Sequence, residues 1–188
     1  MIGDVEKLAS MFKEIANNYQ SNGNVWKNIE LSKQAFILMK SLPTLLEGEF
    51  DTLQDKAALL SQMLEYIDEN STPRFCIEVR AYINSLNPDD EDNLAELARL
   101  NDFIDPSLTM EDYTAKYKKH LKFDPVERSP EWENVIYHVE KECDEILSDE
   151  PHGMGFCFRY WSVKGKVLAK YGIDWQSPSE MNPKVLFD

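Results

Sequence analysis

The chain has 188 residues, with 34 acidic and 20 basic side chains and a formal net charge of -14. This length suits one domain or two small ones, and an apolar fraction of 43% excludes a disordered or collagen-like chain. The charge argues against generic binding to nucleic acid or to an anionic membrane, because such binding needs clustered lysine and arginine.

Apolar residues at helical spacing predict two helices at the start of the chain. The first carries an apolar stripe at alternating spacings of three and four residues: Val5, Leu8, Phe12, Ile15 and Tyr19. Turn residues at 21–24 separate this helix from a second one at about 25–42. Pro43 is expected to end the second helix, since proline lacks the backbone N–H that a helix needs.

Three further helices are predicted in the middle of the chain. One apolar stripe starts at Leu53, and Asp51 is its expected N-cap. Thr72 and Pro73 mark the next helix start, because proline is tolerated at the first helical position. An acid-rich segment then opens a helix that begins at about 88 or 91 and ends near 103, where acid at the N-terminus complements the helix dipole.

The second half of the chain shows two clear helix starts. Thr109 opens a capping box whose fourth residue is aspartate, and the helix is predicted to continue through Leu121. Ser129 and Pro130 open another helix after a connector. Its apolar stripe is Trp132, Val135, Val139, Cys143 and Ile146.

The C-terminal segment predicts one more helix and a tail. The β-propensity of residues 156–161 is compatible with a short strand. A helix is preferred, because apolar residues from Phe156 to Tyr171 recur at helical spacing and Gly172 is a suitable residue just past the helix end. Residues 174–188 are expected to form an extended tail whose aromatic and aliphatic side chains pack on the rest of the protein.

Together these patterns predict an all-α protein of about eight short antiparallel helices, with a helix preferred over a strand in every segment. A compact bundle is favoured over a stack of helical hairpins, because the chain lacks the glycine, alanine and proline positions of a 34-residue repeat. We expect one domain at 1–188, with a further division considered between an acidic body at 1–150 and a basic, aromatic segment at 151–188.

Motifs for catalysis, metal or cofactor binding are not found. A di-iron bundle needs Glu-x-x-His, but position 135 before His138 is valine and position 117 before His120 is tyrosine. Walker A, Gly-x-Gly-x-x-Gly and Gly-x-Ser-x-Gly patterns are absent, and Cys143 is expected in the core. We therefore expect no catalytic residue, no metal site and no cofactor.

The segment 151–188 differs from the rest of the chain in charge. It carries 5 bases and 3 acids, whereas 1–150 carries 15 bases and 31 acids, and it holds 7 of the 21 aromatic residues. The candidate anion-binding or partner-binding residues are His152, Gly153, Gly155, Arg159, Trp161 and Lys164. Three interpretations stay open: the basic helix docks on the acidic body, it binds an anion at its N-terminus, or it presents a partner surface.

We predict a non-catalytic protein-interaction module of the adaptor, immunity or inhibitor type that binds a basic partner, because opposite charge accelerates association. The alternative is an enzyme or small-anion binder with a pocket near His152 and Arg159. Binding to DNA through a basic helix is a weaker prediction. The N-terminus lacks the apolar region of a signal peptide and the cysteines are few, so a cytoplasmic location is expected, and homo-oligomerisation is left open.

Overall fold

The computed structural model describes residues 2–21, 25–42 and 52–187. Within these residues it contains nine α-helices and no strand, which confirms the all-α prediction. The helices are α1 (Ile2–Gln20), α2 (Asn28–Ser41), α3 (Thr52–Glu65), α4 (Pro73–Leu86), α5 (Glu91–Ile104), α6 (Met110–Lys116), α7 (Pro130–Ile146), α8 (Phe156–Lys170) and α9 (Pro178–Met181). None of them combines the length and the apolar character that crossing a bilayer requires.

Contacts divide the chain into two compact units, Met1–Asn101 and Asp102–Asp188. The boundary falls inside α5, and the segment 151–188 lies in the same unit as α7. The division considered at position 151 therefore does not coincide with the boundary between the units, and a single folding domain stays a prediction.

In the first unit, α1 packs on α2 and α3 packs on α4. These pairings follow from the amphipathic stripes, since each helix buries its apolar face against the next helix of the chain. The buried core includes Leu8, Ile15, Phe36, Met39, Leu60, Val79, Ile83 and Leu100.

A buried asparagine joins three helices of the first unit. The Asn28 side chain donates to the carbonyl oxygens of Ile15, at 2.9 Å, and Tyr66, at 2.8 Å, and accepts from the Asn18 amide at 3.0 Å. Next to this network the rings of Tyr19 and Tyr66 lie 4.8 Å apart. The last turn of α1, the start of α2 and the end of α3 therefore meet at one place.

The second unit contains an aromatic cluster and the α7–α8 pair. Phe103 packs on Tyr113 and Phe123, with ring centroids 5.5 and 5.2 Å away. The α7–α8 pair buries Trp132, Ile136, Val139, Cys143, Val167, Leu168 and Ile173. Cys143 thus lies in the core, as expected.

Arg128 closes the C-terminal end of α5. It lies in a 3₁₀ turn, Pro125–Arg128, that precedes α7, and its guanidinium donates to the carbonyl oxygens of Asp102, Phe103, Asp105 and Leu108. One side chain therefore joins the last turn of α5 to the loop that follows it.

The C-terminal tail packs on the connector before α7, which confirms that part of the fold prediction. The indole N–H of Trp175 donates to Glu127 at 2.7 Å, and Asn182 accepts from the backbone N–H of Lys122 at 2.8 Å. Asn182 also donates to the Lys122 carbonyl at 2.7 Å. The tail is not extended throughout, because Ser177 and Glu180 form a capping box that starts α9.

Several predicted helix ends differ in the structure. The second helix begins with a 3₁₀ turn, Val25–Lys27, before α2. Thr72 occupies the N-cap position of α4, but its side chain makes no capping hydrogen bond. The expected N-cap Asp51, the expected stop Pro43 and positions 22–24 of the predicted turn lie outside the described residues.

The helix that Thr109 opens is shorter than predicted. The Thr109 hydroxyl accepts from the backbone N–H of Asp112 at 3.1 Å, as its capping role requires. However, α6 ends at Lys116 and not near position 121. Lys118 adopts a left-handed conformation with φ of 51°, and the N–H of Lys119 bonds to the Thr114 carbonyl at 2.9 Å, which closes the helix end.

Candidate functional site

Two glycines set the ends of α8, the helix that carries most of the predicted site. Gly155 is the N-cap with φ of 78°, and Gly172 follows the C-cap with φ of 77°. Both conformations favour glycine, because a side chain at positive φ clashes with the backbone. The prediction of a helix that Gly172 ends is confirmed.

The inner face of α8 holds a nearly buried cation. Lys164 forms an ion pair with Glu140 of α7, and the Tyr160 hydroxyl donates to the same carboxylate. The side chains of Lys164 and Glu140 are only 12% and 18% exposed. The Lys164 ammonium also lies over the rings of Trp132, Tyr160 and Trp175, at 5.1, 5.8 and 5.6 Å from their centroids. Lys164 is therefore bound within its own unit.

Two other bases of α8 also have intramolecular partners. Lys170 pairs with Glu142 of α7. Arg159 lies 3.7 Å from the Glu150 carboxylate and donates to the Pro151 carbonyl at 3.1 Å. Three of the four bases of α8 thus meet acids or a carbonyl of the segment just before it. This geometry favours the interpretation that the basic helix docks on acidic residues of its own chain.

The region proposed for an anion is an exposed turn with side chains that contact each other. His152 stacks on Phe156, with ring centroids 4.1 Å apart, and Arg159 lies 5.9 Å from the same ring. The N–H of Phe156 donates to the Gly153 carbonyl at 2.9 Å. The structure therefore brings His152, Gly153 and Arg159 together around Phe156, and the Arg159 guanidinium already holds Glu150 and Pro151. An anion site here stays a prediction.

Trp161 lies on another side of α8. Its ring makes edge contacts with Phe158, at 5.4 Å, and with Phe187 of the tail, at 5.1 Å. It borders an open groove of about 490 Å³ between α8 and the tail, lined also by Ser162, Gly165, Lys166, Ala169 and Trp175. The structure thus brings His152, Gly153 and Arg159 together around Phe156. Trp161 instead contacts Phe158 and the tail, and Lys164 contacts α7.

The acidic residues at the C-terminal end of α7 do not complement the helix dipole. In α5 the acids Glu91 and Asp92 lie in the first turn, where they complement the positive end of the helix dipole. In α7 the last turn contains Asp144 and Glu145 and no base, so these acids face the negative end of the dipole. We call Glu145, Asp149 and the exposed Ile146 between them the acidic end of α7.

Ile146 corrects one detail of the predicted stripe. The spacing placed Ile146 on the buried face of α7, but its side chain is 51% exposed and Ile136 is buried in the core. At 3.6 residues per turn Ile146 lies only about 20° around α7 from the buried Val139, so rotation around the helix does not account for its exposure. Ile146 is the last residue of α7, and the residue that is buried at this end is Leu147.

Burial raises the pKa of three titratable groups in the α7–α8 pair and in the turn before it. Burial raises the pKa of the Cys143 thiol to about 12, which keeps it protonated and unreactive. Burial and the neighbouring Glu140 raise the pKa of Tyr160 well above its usual range. Burial also raises the pKa of Glu127. The hydrogen bond from Trp175 opposes this rise, because it stabilises the charged carboxylate.

The first unit contains a second groove, between α1 and α3, which the sequence reasoning missed. The α1–α3 groove encloses about 890 Å³ and is lined by Val5, Leu8, Ala9, Phe12, Asp55, Ala58, Leu59, Ser61, Gln62 and Glu65. A signal for it exists in the sequence. The apolar residues of α1 cover a wider face than one neighbouring helix can bury, since Val5, Ala9 and Phe12 lie beside the buried Leu8, Met11 and Ile15.

Comparison of the chain with protein-family models, with curated proteins and with solved structures finds no match.

Proposed function

We propose that the protein is a non-catalytic protein-interaction module, of the adaptor, immunity or inhibitor type, that binds a basic partner. The observation that carries this proposal is the internal pairing of α8. Its bases Lys164, Lys170 and Arg159 meet acids of their own unit, so α8 adds little free positive charge. Both units are acidic: 1–101 holds 9 bases and 17 acids, and 102–188 holds 11 bases and 17 acids.

The acidic end of α7 supports the proposal. A carboxylate at the C-terminal end of a helix interacts unfavourably with the helix dipole, by about 0.3 to 1 kcal/mol, so Glu145 does not stabilise α7 through the dipole. Ile146 lies beside it with half of its side chain exposed, and Met154 in the following loop is almost fully exposed. Acidic side chains around exposed apolar ones suit a partner surface that is basic and partly apolar.

A cytoplasmic location is part of the proposal. The structure shows no disulfide bond at the described cysteines Cys76, Cys143 and Cys157, and the first two are buried in the cores of their units. Free cysteines are typical of proteins in a reducing compartment, whereas secreted proteins of this size more often carry disulfides.

The experiment uses the full chain as bait in a native lysate and compares it with two variants. We expect the bait to retain proteins of positive net charge at about 0.05 M NaCl and to lose them at about 0.5 M, because salt screens exposed charges. Glu145→Lys should reduce retention, and Glu14→Lys, which changes an exposed acid of α1, is the matched control.

Two results would contradict the proposal. One is the absence of any retained protein above background at low salt. The other is retention that Glu145→Lys and the control Glu14→Lys reduce equally, which would indicate generic attraction to a negatively charged protein. Glu145→Lys should also raise the free energy of unfolding slightly, because a cation suits the end of α7, so a loss of binding cannot be attributed to unfolding.

A further inference from the structure

The α1–α3 groove lies between two helices, each of which packs on a different helix of the unit. Within the first unit, α1 packs on α2 and α3 packs on α4. Beyond the groove, toward the ends of α1 and α3, the Tyr19 and Tyr66 rings meet and the Asn28 side chain donates to the carbonyls of Ile15 and Tyr66. Since the ends of α1 and α3 meet at this place and their earlier residues line the groove together, the two helices run parallel.

The lining of the groove suits a helix better than a small polar ligand. Its floor is mainly apolar, with the partly exposed Val5, Phe12 and Leu59. Ala9 of α1 and Ala58 of α3 are exposed and line the same groove. Small side chains let the backbone of another helix approach closely, and interhelical distances of about 8 to 10 Å require such room.

Charge determines the kind of helix that fits. Asp55 and Glu65 both line the groove and are ten residues apart on α3, which is about 15 Å or three helical turns. No lysine or arginine is among the described residues that line it. The unit as a whole has 9 bases and 17 acids. Carboxylates on an apolar groove complement a helix that carries lysine or arginine on either side of an apolar stripe.

We infer that the α1–α3 groove binds one amphipathic helix of a partner, about three turns long, with apolar side chains at i, i+4 and i+7 and basic residues toward both ends. The sign of the partner's charge rests on the proposed function. The location of the binding site and the helical form of the bound segment are inferred from the geometry of α1 and α3.

The test uses a labelled synthetic peptide of about fourteen residues, long enough to form a helix on binding. It carries leucines at i, i+4 and i+7 and lysines toward both ends. A second peptide has proline at its centre, which prevents a continuous helix, and a third has glutamate in place of lysine. Fluorescence anisotropy with the full chain measures the affinities at low salt, and circular dichroism measures the helicity gained on binding.

Variants of the protein locate the binding. Ala58→Trp fills the groove and should weaken the lysine peptide about tenfold or more. Asp55→Asn and Glu65→Gln should each weaken it about threefold, the effect of one exposed ion pair. Glu14→Gln lies on α1 outside the groove and should leave the affinity unchanged. Because Ala58 is exposed, Ala58→Trp is expected to fold, and Ala9→Trp provides a second variant of the same kind.

Different outcomes overturn different statements. If the proline peptide binds as well as the helical one, or if Ala58→Trp and Ala9→Trp leave binding unchanged, the helix-in-groove inference is wrong and the proposed function stands. If the glutamate peptide binds equally well, the charge argument is wrong. A dimer in sedimentation equilibrium that Ala58→Trp dissociates would show that the groove holds a second copy. If no peptide binds while the bait still retains basic proteins, the inference alone fails.

Discussion

At the scale of single residues, the α7–α8 pair is organised around Lys164. An ammonium that is almost out of water needs a compensating charge, and Glu140 supplies it. The rings of Trp132, Tyr160 and Trp175 surround the same ammonium, so its charge interacts with their electron-rich faces as well. Lys164, one of the bases that made this segment look like a binding site in the sequence, is therefore part of the core.

Glu140→Gln is expected to lower the free energy of unfolding by about 2 to 3 kcal/mol, because it leaves Lys164 nearly buried without a counter-charge. Lys170→Met breaks the exposed pair with Glu142 and should change stability by about 0.5 kcal/mol or less. Urea unfolding measures both. The double variant Glu140→Gln with Lys164→Met should recover most of the loss, and a double variant no more stable than Glu140→Gln would contradict this account.

Glu127 predicts a dependence on pH. Burial raises its pKa in the folded state above the ordinary value of 4.5, so the folded protein holds this proton more tightly than the unfolded chain. The stability that the bound proton contributes is present below about pH 4.5 and is lost as the pH rises through the raised pKa.

Glu127→Gln should remove this dependence, while its side-chain oxygen still accepts the hydrogen bond from Trp175. The stability of the variant relative to the wild type is therefore expected to increase as the pH is raised from about 4 to about 8. Unfolding in urea at several pH values measures this difference. A difference that stays constant or falls with pH would show that Glu127 does not have a raised pKa.

At the scale of the elements, helix ends show where local sequence is sufficient and where it is not. Ser129 caps α7 through its own hydroxyl, which accepts from the N–H of Trp132 at 3.1 Å. The end of α5, by contrast, depends on Arg128, which lies 24 residues beyond Ile104 in the chain. The tail containing α9 is likewise held from a distance, since Asn182 bonds to the backbone of Lys122.

Asn182→Ala is expected to release the tail and to lower stability by about 1 to 3 kcal/mol, because the Lys122 backbone loses both hydrogen bonds from this side chain. Limited proteolysis should then cleave the tail faster than in the wild type, and urea unfolding measures the stability. Lys184→Ala, at an exposed position two residues further on, is the matched control. Equal cleavage rates in Asn182→Ala and the wild type would contradict the anchoring role.

At the scale of the whole molecule, negative charge is shared between the two units. The first carries 9 bases and 17 acids and the second carries 11 bases and 17 acids, so each unit has a net negative charge. Like charges repel within each folded unit, and this repulsion weakens when the chain unfolds and the charges move apart.

Raising NaCl from about 0.02 M to about 0.3 M should therefore increase the melting temperature, because the Debye length falls from roughly 20 Å to well below 10 Å and repulsion is screened. Thermal unfolding followed by circular dichroism measures the shift, and sucrose at equal osmolality is the control for excluded-solute effects. A melting temperature that falls with salt would show that ion pairs such as Glu140 with Lys164 outweigh the net repulsion.

The helices themselves were predictable because their signals are local. The helix predicted from the stripe between Val5 and Tyr19, the cap at Ser129 and the stop at Gly172 each depend on residues within a few turns, and the structure confirms all three. The length of α6 was not predictable, because it ends at Lys116 through a left-handed lysine that carries no glycine signal.

The sequence by itself determined the helical class of this protein, the position of most helices and the excess of acid, since these follow from spacing and composition. Only the tertiary structure decided what the basic residues of α8 face, because Lys164 and Glu140 are 24 positions apart. It likewise decided that the apolar faces of α1 and α3 leave a groove between them. Periodicity reports which side of a helix is apolar, whereas the surface that covers it depends on contacts between segments that are distant in the chain.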